Sequence, residues 1–99
     1  MKLREIAHSR TGDKGNTSIL SVIAYRAQDY PLLVERVTVE AVQRHLQDIV
    51  QGEVRRYELP ALGALQFVCE HALGGGVTTS LAQDAHGKTL SYALLEMVI

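Results

Sequence analysis

Residues 61–73 read A-L-G-A-L-Q-F-V-C-E-H-A-L, and the fold turns on the period assigned to them. Leu65, Val68, Cys69, Ala72 and Leu73 fall on one helical stripe, with Gln66 and Glu70 outside it. Leu65, Phe67 and Cys69 also alternate as they would on a strand. The run exceeds a typical strand length and ends in Gly74-Gly75-Gly76, a strong helix stop. The spacing therefore predicts a helix over 61–73, followed by a short strand over 77–81.

Upstream, E-V-R-R-Y-E-L at 53–59 is a charged strand suited to a sheet edge, and Pro60 ends it. Thr38 is placed to cap a helix in which Val39, Val42, Leu46, Ile49 and Val50 share one face. Glu40 and Arg44 form an i,i+4 pair on the other face, and Gly52 lies just past the expected end. Tyr30-Pro31 opens a shorter helix containing Leu32, Leu33 and Arg36. The run S-I-L-S-V-I-A-Y at 18–25 is nearly all apolar and rich in β-branched residues, which predicts a central strand buried on both faces. Residues 2–7 read as a first strand, and 90–97 as a final amphipathic helix or helix-to-strand ending. Together these elements predict one α+β domain over 1–99, a sandwich with a mixed β-sheet and helices packed on one face.

Composition narrows the function. The chain has 99 residues, 46% of them hydrophobic, and a net charge of −1. With no basic patch and few aromatics, nucleic acid is not an expected partner. No run approaches the ~20 apolar residues of a membrane span. Lys2, Arg4 and Glu5 interrupt the place of a signal peptide's apolar region. One cysteine allows no internal disulfide framework, and a cytoplasmic location is expected.

Two polar, glycine-bearing segments and a third near the C-terminus are the candidate sites. H-S-R-T-G-D-K-G-N-T at 8–17 reads as a loop between strands. Gly12 and Gly15 would allow positive φ, with Lys14, Asn16 and Thr17 beside them, which suits backbone N–H groups facing an anion. The plainer reading is a polar connection held by side-chain-to-backbone bonds from Asp13, Asn16 and Thr17. Gly74, Gly75 and Gly76, followed by Thr78, Thr79 and Ser80, exceed what a helix stop needs and suggest close approach of a ligand or another chain. The third segment, A-Q-D-A-H-G-K-T at 82–89, matches only a relaxed phosphate-loop pattern. No aspartate follows it to hold Mg²⁺, so a helix start entered by Gly87, Lys88 and Thr89 is the better account. His8 and His86 flank these segments, and the four histidines show no metal-ligand spacing. Cys69 on an apolar stripe reads as a core residue. No metal and no cofactor are expected.

The stretches H-S-R-T-G-D-K-G-N-T-S, Y-E-L-P-A-L-G-A-L-Q-F-V, A-L-G-G-G-V-T-T-S-L and D-A-H-G-K-T-L-S-Y-A-L-L resemble the AtuA-like ferredoxin-fold domain. That family is named for acyclic terpene utilisation proteins. The resemblance covers nearly the whole chain. It implies a ferredoxin-like α+β fold and a role in catabolism of branched or terpenoid acids or their acyl-CoA thioesters. The chain would be a small subunit working with a larger AtuA-type chain. The matching positions are Ser9, Gly12, Asp13, Lys14, Gly15, Asn16 and Thr17, then Gly74, Gly75 and Gly76, then Asp84, Gly87 and Lys88, and His86 joins them as a ligand-binding candidate. Gln66, Thr79 and Ala82-Gln83 depart from the family pattern, and the last two remove cations near the glycine run. The resemblance carries no catalytic role with it. The expected ligand is an anionic small molecule, and the alternative is a non-catalytic binding or homo-oligomer module built on 53–59 and 90–99.

Overall fold

The structure, a computed structural model, describes residues 1–14, 17–70 and 88–99. Four strands, β1 (Ala7–Lys14), β2 (Thr17–Ala24), β3 (Val54–Leu59) and β4 (Ala64–Cys69), form one sheet in the order β1-β2-β4-β3. Among the described residues three helices accompany it: α1 (Tyr30–Arg36), α2 (Val39–His45) and α3 (Lys88–Leu95). Every pairing among the described residues is antiparallel, so the mixed character expected of the sheet has no parallel pair here. The expected strand over 77–81 lies outside the described residues.

The stretch 61–73 corrects the sequence reading. Residues 64–69 are a strand, and Leu65, Phe67 and Cys69 are fully buried. Hydrogen-bonded neighbours on both sides, β2 and β3, override the helical spacing. Gly63 makes the turn possible: after the 3-10 turn Pro60–Leu62 it adopts the left-handed conformation at φ 60°, which a side chain would strain.

The N-terminus is a second correction. Residues 3–5 form a 3-10 turn rather than a strand, because the Glu5 carboxylate accepts from the Lys2 N–H at 2.7 Å and closes a local ring. The strand starts instead at Ala7 and runs to Lys14, through most of the stretch read as a loop. Gly12 therefore sits in extended backbone and has no positive φ. β2 is central as expected, but it buries only Ser18, Leu20 and Val22. Its other face is half-buried.

The helices follow the sequence more closely. Thr38 caps α2, its Oγ1 accepting from the Ala41 N–H at 3.1 Å. α2 ends at His45, short of the expected length, and Leu46 accepts from both Ile49 and Val50 in the turn that follows. Gly52 is not its cap; its N–H bonds Glu70 O at 3.1 Å, where the β3–β4 pairing begins. The Glu40–Arg44 pair does not form among the described residues. α1 opens at Tyr30 with Pro31 in its first turn. The last segment turns extended after α3, and Val98 bridges Lys2.

All three helices pack on one face of the sheet, closing a core that includes Leu20, Val22, Phe67, Leu33, Val42 and Leu94. On the edge strand, Arg56 stands in register with Phe67 and reaches the end of α1. Its Nη1 donates to Val34 O and Val37 O, both at 2.9 Å, and its Nη2 to Glu58 at 3.2 Å. These bonds satisfy carbonyls that a helix end leaves open. Arg56→Met should therefore cost about 1.5–3 kcal/mol in urea unfolding. Arg55→Met next to it, removing an exposed ion pair, should cost under about 1 kcal/mol.

Candidate functional site

The period of two along β1 sorts the first polar segment onto two faces. Ser9 and Thr11 stand opposite Val22 and Leu20, on the helix-covered face, and Asp13 takes the register position opposite Ser18. His8, Arg10, Gly12 and Lys14 occupy the other register positions. Lys14 pairs with Thr17, which leaves residues 15 and 16, outside the described residues, as the connection. The structure thus separates Asp13 and Lys14, which the sequence placed in one loop, into alternate positions of a strand.

The inner positions form a polar lane in an otherwise apolar layer. Thr11 Oγ1 hydrogen-bonds Ser91 Oγ of α3 across the sandwich. Ser18 and Ser91 are both buried. The Ser9 hydroxyl is buried with no hydrogen-bond partner among the described residues. A buried hydroxyl without a partner costs about 1–3 kcal/mol, so an apolar side chain would serve packing better there. Thr11, Ser18 and Ser91 were not among the residues expected at the site. Reading 7–14 as a strand would have joined Thr11 to Ser9 and Asp13; Ser91, 80 positions away in sequence, left no such signal.

At the tip end of the hairpin, Thr17 Oγ1 donates to Glu70 Oε2 at 3.1 Å, and Arg55 Nη2 holds Glu70 Oε1 at 3.1 Å. Glu70 closes β4, and α3 begins at Lys88. Both flanks of 71–87 are therefore tied to the β1–β2 hairpin, one through Glu70 and Thr17, the other through Ser91 and Thr11. Gly74, Gly75, Gly76, Asp84, His86 and Gly87 lie outside the described residues, as do Gly15 and Asn16. Lys88 is the first residue of α3.

His8 stacks on Tyr25 with ring centroids 5.3 Å apart, on the face away from the polar lane. His45 Nε2 donates to Ala93 O at 2.6 Å and joins α2 to α3. Among the described residues no group of three or more His, Cys, Asp or Glu is gathered to hold a metal ion, and no helix is long and apolar enough to cross a membrane. An open cavity of about 440 Å³ lies elsewhere, lined by Ala41, Arg44, His45, Glu96, Met97 and Val98. None of the expected site residues borders it. Glu96 at its rim is held below the usual carboxylate range by the Lys2 hydrogen bond at 2.9 Å, with the charges of Lys2 and Arg4 adding to it.

Cys69, next to Glu70 but fully buried, is a core residue as the sequence suggested. Burial, with the Glu70 charge behind it, pushes its thiol up from 9.0 to about 11. Folding therefore favours the protonated thiol, and that stability is full below 9.0 and lost as pH rises toward about 11. Urea midpoints of the wild-type chain should fall through this window, and Cys69→Val should flatten that part of the profile. An equal fall in both would assign the loss to other groups.

One family model, that of the AtuA ferredoxin-like domain, matches residues 1–99, the whole of the chain. No curated protein and no solved structure gives a significant match.

Proposed function

The chain belongs to the AtuA ferredoxin-like domain family, and from that membership and the geometry of its hairpin we propose that it is a ligand-binding small subunit of an AtuA-type assembly. In this reading the assembly acts in the breakdown of branched or terpenoid acids or their acyl-CoA thioesters. The present chain binds and orients the anionic ligand, and a larger chain supplies the chemistry. Lys14 provides charge, Asn16 and Thr17 provide hydrogen bonds, and Asp13 orients the turn. The two remaining polar segments, with Gly74, Gly75, Gly76, Asp84, His86, Gly87 and Lys88, complete the pocket.

The observation that carries this reading is the pair of ties from the β1–β2 hairpin to both flanks of 71–87. The residues that flank the two later polar segments, Glu70 and Ser91, are thereby tied to the hairpin that carries the first. The Ser9 hydroxyl, buried with no partner among the described residues, supports it, because such a group calls for a water or ligand atom to complete it; the Tyr30 hydroxyl on α1 is the other such group.

The test is a titration of the isotope-labelled chain with branched-chain acyl-CoA thioesters, free coenzyme A and inorganic phosphate, followed by amide shifts. Shifts should centre on residues 9–17 and 88–91, and Lys14→Ala should weaken binding by roughly 10- to 100-fold, the worth of one charge-assisted hydrogen bond. Shifts confined to the Arg44–His45 cavity would move the site away from the hairpin. Unchanged assembly with the larger chain and unchanged turnover in both Lys14→Ala and Asp13→Ala would remove the hairpin from the mechanism.

A further inference from the structure

The face of the sheet away from the helices carries its own order, fixed by register. Arg10 pairs with Ser21, Ser21 with Gln66, and Gln66 with Tyr57, so these four residues stand in one line across all four strands. A second line runs Gly12, Ile19, Val68, Arg55, and a third runs His8, Ile23, Ala64, Leu59. Ile19, Ile23 and Val68 are only half-buried. At the rim Tyr25 is 62% exposed, Tyr57 46% and Leu62 69%. Among the described residues, no hydrogen bond or ion pair engages the side chains of Arg10, Ser21, Gln66 or Tyr57.

We propose that two copies of this chain pack face to face through these surfaces, about a two-fold axis parallel to the strands and passing between β2 and β4. The inference is independent of the ligand reading above. That axis lays β1 of one copy over β3 of the other and β2 over β4, so every line meets itself in reverse. Arg10 then sits over Tyr57 of the second copy, a cation over an aromatic face. The Ser21 hydroxyl meets the Gln66 carboxamide, which gives both buried polar groups a partner. Ile19 meets Val68, both half-buried in the single chain. Arg55, whose charge Glu70 already balances at 3.1 Å, lies over Gly12, where a Cβ would touch nothing within 4 Å. The isologous contact closes on itself, as a two-fold interface must.

The other in-plane axis, perpendicular to the strands and crossing the Arg10 line, would set Arg10 against Arg10 and is disfavoured by like-charge repulsion. A packing angle of about 30° between sheets shifts the outer pairs only slightly from this alignment. Four strands at ~4.8 Å by six residues at ~3.4 Å give a plan area of roughly 400 Å² per copy. Corrugation and the rim residues Tyr25 and Leu62 bring the pair near the ~1,000 Å² at which specific association begins, so a weak, reversible pair is expected, its Kd set by the quality of the contacts and below about 500 µM.

Sedimentation equilibrium of the full chain should show a monomer–dimer equilibrium in that range. Ser21→Arg, placed beside the axis on a half-exposed position, should weaken it at least tenfold with an unchanged circular dichroism spectrum. In addition, an equimolar mixture of Arg10→Cys and Tyr57→Cys chains, both exposed positions, should give a covalent dimer with a bismaleimide about 10 Å long, the sheet-to-sheet distance. Neither variant alone should do so. A chain that stays monomeric up to about 500 µM, association untouched by Ser21→Arg, or equal cross-linking in the single variants would each overturn the proposal.

Discussion

Leu20 and Phe67 stand directly opposite each other on the two central strands, both with no exposed surface, and that pairing fixes everything built on the sheet. Because side chains alternate, the register that buries these two also assigns a face to every residue of β1 and β3. A slip of one position would turn Gln66 and Ser21 into the core and expel Leu20, Val22, Leu65 and Phe67. Such a change removes most of the central apolar burial at once, so the register is strongly specified. Val22 opposite Leu65 and Ser18 opposite Cys69 repeat the same constraint one pair along in each direction.

From that constraint the sheet acquires two unlike faces. Inward, the strands meet α1, α2 and α3 over a core that is mainly apolar, with hydroxyls gathered along β1 and at Ser18 of β2. Thr11 spans this layer to Ser91, and Ser9 lies beside it with no hydrogen-bond partner among the described residues. Outward, lines of polar and apolar residues alternate across the strands. The hairpin belongs to both surfaces, because β1 is an edge strand whose alternate residues serve one or the other. Arg56 and Arg55 divide the opposite edge strand in the same manner. Arg56 turns inward to hold the end of α1, whereas Arg55 stays outside with Glu70.

Much of this was legible in the sequence. The β-branched content of 18–25 marked a central strand, Pro60 marked the end of an edge strand, and Thr38 marked a helix start through its side-chain oxygen. Local chemistry decides those features, so local reading finds them. Two of the misreadings have a shared cause. At 64–69 and at 8–14, the neighbouring strands determine the conformation, and pairing partners are invisible to a window of a dozen residues. Glycine and polar side chains in 8–17 mimic a loop, yet ladder bonds to β2 hold it extended as far as Lys14. The site suffered accordingly. Ser9, Asp13 and Lys14 could be singled out by type, but the sorting of alternate residues onto two faces required the strand, and Ser91 required the fold.

The account rests on 64–69 being the strand that pairs β2 through Leu20 and Phe67. Cross-strand proton contacts measured by nuclear magnetic resonance test it most directly. Contacts linking Leu20 with Phe67 and Val22 with Leu65 are the predicted result. A series of contacts between residues three and four apart within 64–69, the signature of a helix, would contradict it.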